Sequence, residues 1–213
     1  MSETVSSALG MAMVMSGPSG AGKSTVCKRM MQDNPKLQFS ISCTTRQPRE
    51  GEEHGVHYFF MTYEDFQNKI AEGQFIEYAE VHGNYYGTLK SEVLGQLEAG
   101  FDVLIDIDVQ GMRLIKAAAE KDEVLKKCCS YIFMTPPNFT ELENRLRGRG
   151  TDEDEVIARR LINARKEYDA WQEYDYLVVN DQVEDAAKRM LAIREAFTLR
   201  VSQVCVAKEW PYV

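Results

Sequence analysis

The stretch at residues 16–25, SGPSGAGKST, narrows the possible folds of this chain more than any other. It follows a short apolar run at residues 11–15 and precedes residues 26–31, VCKRMM, which read as the first turns of a helix. Strand, glycine loop and helix are therefore expected in that order. The spacing from Gly17 to Ser24 fits G-x-x-x-x-G-K-[ST], in which small residues let successive backbone N–H groups turn inward around anionic oxygens. Lys23 would reach the β- and γ-phosphates of a nucleoside triphosphate as a point charge. Ser24 would put its hydroxyl on Mg²⁺, and the helix N-terminus would add unpaired N–H groups and its dipole.

A chain of 213 residues can bury a full core and sits at the upper end of one ordinary domain. A single core with excursions is expected. The net charge of −8 argues against nucleic-acid binding, so any anion site must be locally basic. Five cysteines, Cys27, Cys43, Cys128, Cys129 and Cys205, form no C-x-x-C pair and point to reduced, mostly buried thiols. His54, His57 and His82 have no metal-binding spacing. The opening MSETVSSALG carries an acid and no basic region ahead of its brief apolar run, unlike a signal peptide, so a cytoplasmic location is expected. No run approaches the length of a membrane span, and no membrane partner is expected. Nothing in the sequence fixes an oligomeric state.

Between residues 39 and 88 the runs FSISCTTR, VHYFFM and GQFIEYAEVHGNYYGT are strand-like and separated by glycine turns, which reads as an inserted β-rich lobe. Inside it, Thr62 starts a short helix that Gly73 can close. KSEVLGQLEAG is helical and ends at Gly100. FDVLIDID then reads as a continuous buried parallel strand ending in two acids. A helix near residues 112–120, the strand CCSYIFM and the strand YDYLVV continue an α/β alternation. A further helix begins at residues 140–147, and Thr151 is expected to cap the next, with acids in its first turn. Between residues 145 and 166 there are seven bases (Arg145, Arg147, Arg149, Arg159, Arg160, Arg165, Lys166) against four acids, so this segment is locally basic in an acidic chain.

The loop alone implies a triphosphate, and the acceptor of a phosphate has to be read elsewhere. Arg46 and Arg49, three residues apart in a turning segment, could grip one phosphate from two sides or be ordinary surface arginines. Asp106 and Asp108 end the buried strand at the carboxyl edge of the sheet, where open α/β folds bind ligands, and a period of two puts both on one face. Asp108 is expected to support a Mg²⁺ water shell and Asp106 to face the acceptor. Read alone, Ser42 is a strand residue, Thr88 a helix cap and Glu77 an acid on an amphipathic strand.

Taken together, SGPSGAGKST, TTRQPREGE, FIEYAEVHGNYYGT, LIDIDVQG, RLRGRG and VVND occur in the order and spacing of the guanylate kinases, and the chain resembles that family from about residue 13 to beyond residue 181. The resemblance implies reversible, Mg²⁺-dependent transfer of the terminal phosphate of ATP to GMP, giving ADP and GDP in purine nucleotide metabolism, with no tightly bound cofactor; use of dGMP stays open, since no residue clearly reads the 2′-hydroxyl. The implied fold is an α/β P-loop core, a parallel sheet flanked by helices, within one domain. The core would take about residues 11–40, 90–139 and 167–205, with a GMP-binding lobe at about 41–89 and a helical lid at about 140–166.

By the same resemblance ATP would be held by Gly17, Pro18, Ser19, Gly20, Ala21, Gly22, Lys23, Ser24, Thr25 and the adenine-side turn at Asn180. The GMP phosphate would be held by Arg46, Arg49, Tyr58 and Tyr86. Ser42, Glu77 and Thr88 would read guanine: two hydroxyls can donate to O6 while one carboxylate accepts from N1–H and N2–H. Glu52, Gly87, Asp106 and Asp108 would complete the acceptor site, and Lys23 with lid residues Arg145, Arg149 and Arg160 would act on the transferring phosphate. The chain departs from the family at Cys43, where another small or polar residue is expected, and in the long connection AAAEKDEVLKKCCS. The tail at residues 206–213 matches no motif.

Overall fold

The computed structural model describes residues 9–81, 83–148, 150, 153–200 and 203. The chain runs through β1 (Ala12–Ser16), the glycine loop, α1 (Lys23–Gln32) and β2 (Leu37–Phe39). It then leaves that sheet for β3 (Cys43–Thr44), β4 (Phe59–Phe60), α2 (Tyr63–Ala71), β5 (Phe75–Val81) and β6 (Asn84–Leu89), returning through α3 (Lys90–Glu98) and β7 (Asp102–Asp106). The remainder is α4 (Val109–Ala119), α5 (Glu123–Cys128), β8 (Cys129–Thr135), α6 (Phe139–Arg147), α7 (Asp154–Tyr168), β9 (Tyr176–Val179) and α8 (Val183–Thr198).

Five strands form a sheet in the order β2-β7-β1-β8-β9, every neighbouring pair parallel. With β1 at its centre, both faces must be covered, which is why residues 11–15 are apolar without alternation. Met13 and Met15 pack on one face with Val26 and Met30 of α1 and Met190 and Phe197 of α8. Ala12 and Val14 pack on the other with Leu97 of α3 and Met112 and Ile115 of α4. This is the helix-flanked parallel sheet expected from the sequence.

The second sheet has the order β4-β3-β6-β5, and its small core is Cys43, Phe66 and Phe75, with the two rings stacked 4.4 Å apart. α2 starts where the cap predicts: the Thr62 side chain accepts from the Asp65 N–H, and Gly73 follows the helix at φ 64°. Leu142 and Leu146 of α6 and Ile157 and Ala164 of α7 form a separate cluster.

Several expectations need correction. The strand read through Asp108 stops at Asp106, and Asp108 is the N-cap of α4, its Oδ1 accepting from the Gly111 N–H at 2.8 Å. The period-two argument for a shared strand face therefore fails, although both acids stay at the carboxyl edge. Thr88 lies within β6 and caps nothing; Leu89 occupies the cap position of α3. The long connection before β8 is α5, capped by Asp122, and it takes Cys128 out of the strand. VHYFFM yields only Phe59–Phe60 because His54 to Tyr58 turn on themselves through Gly55 N–H to Tyr58 O at 2.9 Å. Glu153, with no side-chain cap bond, holds the cap position of α7. The expected cap Thr151, together with His82, Arg149, Cys205 and residues 206–213, lies outside the described residues.

At the opposite, amino edge of the sheet, buried Asp102 accepts from the Met11 N–H at 2.9 Å and from Arg194 Nε of α8 at 2.7 Å. Asp102→Ala strands both donors and should cost about 2–3 kcal/mol in urea unfolding, with Arg194→Ala costing less because Met11 keeps its acceptor. Ligand affinity at the carboxyl edge should be unchanged in both variants.

Candidate active site

The glycine loop wraps the carboxyl end of β1 so tightly that a Cβ on Gly17, at φ 145°, would fall 1.9 Å from the Met134 carbonyl oxygen of β8. Only glycine fits there. The loop turns through Ala21 N–H to Pro18 O at 2.9 Å, and α1 begins after Gly22, at φ 87°, with no side-chain cap and no acid in its first turn. Its leading N–H groups are thus left for an external anion. Lys23 curls back over the loop, Nζ donating to Gly17 O at 2.6 Å. Its ammonium also lies 3.7 Å from Asp106 Oδ1.

Asp106 stands at a seam. It lines a hollow of about 150 Å³ formed by Pro18, Ser19, Gly20, Gly22, Lys23, Ser24 and Thr25, and it also lines a hollow of about 230 Å³ shared with the lobe. Burial pushes its carboxyl up, and Lys23 opposes that. The second hollow brings together Ser42, Tyr58, Glu77, Tyr86, Gly87 and Asp108 from β5, β6, the segments beside β3 and β4, and the cap of α4. Asp108 lies on this side, and Asp106, the acid against Lys23, lines both hollows.

Glu77 is 7% exposed and accepts from the Thr88 hydroxyl at 2.7 Å, with the Thr88 backbone N–H a second donor. Burial pushes its carboxyl up to about 7; the Thr88 bond works against this and the charge on Asp108 adds to it. Arg46 donates to Glu52 Oε1 at 2.9 Å and to Gln47 O at 2.8 Å, and its guanidinium lies 5.5 Å from the Tyr58 ring centre. Glu52 Oε2 accepts from the Arg49 N–H at 2.8 Å, so Glu52 spans both arginines. The Arg46 bond, foremost, holds its carboxyl down at about 2.

From α6, Arg145 donates from Nε to Glu141 at 2.7 Å and from Nη2 to Asp181 O at 3.3 Å. Arg160 Nη1 reaches Ser19 Oγ of the loop at 3.4 Å. Asn180 Nδ2 donates to Ala21 O at 2.7 Å. One residue escaped the sequence reading. Glu167, near the end of α7, is half-buried, and burial raises its carboxyl pKa with Lys23 opposing and Asp108 adding. An acid two turns after Arg160 in a basic segment was the available signal, since positions seven apart share a helix face.

The guanylate kinase family model matches residues 10–196. A guanylate kinase of Fusobacterium nucleatum is 48% identical over 187 residues, spanning 88% of this chain and 97% of that protein. One of Clostridium tetani is 44% identical over 92% of this chain and 90% of its own length. The crystal structure of a guanylate kinase from Anaplasma phagocytophilum superposes with a TM-score of 0.71 at 30% identity, covering 94% of this chain and 92% of that one.

Glu77 should cost stability. Its pKa is raised from the ordinary 4.5 to about 7, so the penalty is absent below pH 4.5, grows as pH rises toward 7 and is complete above it. Glu77→Gln removes the charge but keeps an acceptor for Thr88. The variant should exceed wild type by about 3 kcal/mol in urea unfolding at pH 8 and match it near pH 4.5. A pH-independent difference would mean that Glu77 is not held neutral by burial.

Proposed function

This chain belongs to the guanylate kinase family and catalyses the ATP-dependent phosphorylation of GMP, and from that premise we propose how its residues divide the work. The glycine loop from Gly17 to Thr25, with Lys23, takes the triphosphate of ATP, and Asn180 belongs to that side. Ser42, Glu77 and Thr88 read guanine. Arg46, Arg49, Tyr58 and Tyr86 hold the GMP phosphate, with Glu52 bonded to the Arg46 guanidinium and the Arg49 main chain and Gly87 lining the pocket. Arg145, Arg149 and Arg160 close over the donor phosphates as a lid at about residues 140–166, and residues 41–89 act as the GMP lobe. The observation that carries this reading is the Lys23–Asp106 contact at 3.7 Å, on the boundary between the loop hollow and the lobe hollow.

The reaction asks little covalent chemistry of the protein. A phosphate oxygen of GMP is already an anionic nucleophile, so no side chain has to remove a proton. Acceleration comes from alignment, exclusion of water and positive charge around the transferring oxygens. Lys23 leaves the Gly17 carbonyl for the β–γ region of ATP, and Arg160, already near Ser19, approaches from the lid. Arg46 holds the acceptor phosphate while Glu52 fixes its fork.

Magnesium fits the oxygen donors at hand. Ser24 would offer a hydroxyl and Asp106, which lines the same hollow, or Asp108 a carboxylate, and among the described residues no three His, Cys, Asp or Glu side chains converge into a cage. That suits an ion held mainly by phosphates and waters. When bound, Mg²⁺ neutralises charge on the β- and γ-phosphates. No helix of the described residues is long and apolar enough to cross a membrane, and the substrates belong to the cell interior, so a cytoplasmic location is part of the same proposal.

A coupled assay of ADP release with ATP, Mg²⁺ and a panel of monophosphates tests this reading. GMP and dGMP should be accepted, since the proposed contacts go to base and phosphate. IMP, lacking the 2-amino group, should rank below them, and AMP, presenting a lone pair at N1 to Glu77, should be rejected by up to ~10⁴–10⁵ in kcat/KM. Lys23→Met should lose on the order of 10²–10³ in kcat while staying folded. Equal use of AMP and GMP, or a Lys23→Met enzyme within threefold of wild type, would contradict the assignment.

A further inference from the structure

Asn180 follows β9 and is 2% exposed. Its backbone N–H donates to Thr135 O at 2.7 Å, where β8 gives way to the lid, and its side-chain Nδ2 donates to Ala21 O at 2.7 Å inside the glycine loop. The other amide atom, Oδ1, is buried and has no hydrogen-bond partner among the described residues. A Cβ on Gly22 would fall 2.3 Å from that Nδ2, so glycine at position 22 leaves the space the amide fills. The next carbonyl, Asp181 O, accepts from Arg145 Nη2.

These contacts have a geometric consequence. In a trans peptide the C=O and the following N–H point in opposite directions. Fixing the Ala21 carbonyl against Asn180 therefore turns the Gly22 N–H the other way, away from Asn180. We propose that Asn180 is a positioning residue of the phosphate-binding loop: its amide fixes the Ala21–Gly22 peptide so that the Gly22 N–H faces the triphosphate of the donor nucleotide. Its side chain makes no contact with adenine. With Nδ2 committed to the loop and Oδ1 buried, neither polar atom is presented where a base would lie. The inference rests on the reading of this loop as the ATP cradle.

Calorimetry with three probes separates the possibilities: Mg-ATP, inorganic tripolyphosphate, which has the phosphates without the base, and GMP. Asn180→Leu keeps the volume and removes the donor, and Asn180→Ala removes both. Either variant should lose ATP and tripolyphosphate by the same factor, about tenfold, as expected for one lost hydrogen bond in a shared cradle. Affinity for GMP should stay within twofold, and kcat at saturating ATP should fall, because the displaced N–H no longer meets charge developing at the β–γ bridge. Loss of ATP affinity with tripolyphosphate unchanged would overturn the proposal in favour of a base contact. Wild-type behaviour of Asn180→Leu throughout would overturn it in favour of simple packing. If wild type binds ATP but not tripolyphosphate, the reading of the loop as a phosphate cradle fails instead.

Discussion

The contact between Gly17 and the Met134 carbonyl sets the terms for the rest of the molecule, because it presses the loop onto the end of a neighbouring strand with no room for a side chain. β1 can do this only as a central strand. With β7 and β8 parallel on either side, the carboxyl ends of three strands meet at one edge, bringing Ser16 and the loop, Asp106, and Thr135 at the end of β8 together. Each excursion leaves from that edge or returns to it. The amino edge, where Asp102 ties β7, the chain before β1 and α8 together, carries stability instead.

The lobe shows the converse arrangement, in which structure is spent on binding. Glu77 sits on β5 facing Thr88 on β6, buried, with hydroxyl and backbone donors both from Thr88 for a group that can accept about four. Asp108, across the hollow, makes its ionised form less favourable still. A neutral residue would be more stable there. Two adjacent N–H donors on a flat ring would meet the carboxylate's free acceptor capacity, and the hydroxyl of Thr88 already orients it. On this account selectivity for guanine comes from a charge the fold by itself only partly satisfies.

Local signals were legible wherever a residue type has one physical use. The glycine spacing placed the loop, Thr62 placed the start of α2, and the unbroken apolar run of FDVLIDID placed β7 as a buried parallel strand. Misreadings occurred where two uses compete. Asp108 follows an apolar strand at strand period, but a carboxylate before a helix is also a good cap, and here its side chain accepts from the Gly111 N–H. β4 came out short because aromatic residues favour strands only when a neighbour can pair with them, and the turn at Gly55 removes that partner. The clamp from Asn180 to Ala21 joins residues 159 apart in sequence, and the charge coupling of Glu167 with Lys23 depends on how α7 is laid against the core. Neither has a sequence pattern of its own.

Direct observation of the Glu77 carboxyl tests the central claim that guanine recognition rests on a buried charge that the fold only partly satisfies. In protein labelled with carbon-13 at glutamate carboxyls, with the resonance assigned through Glu77→Gln, the carboxyl should titrate near 7 without nucleotide. With saturating GMP it should stay ionised to about pH 5 or below, since hydrogen bonds to the charged form favour it. A carboxyl that titrates in the ordinary range near 4.5, or one whose titration GMP leaves unmoved, would contradict the account.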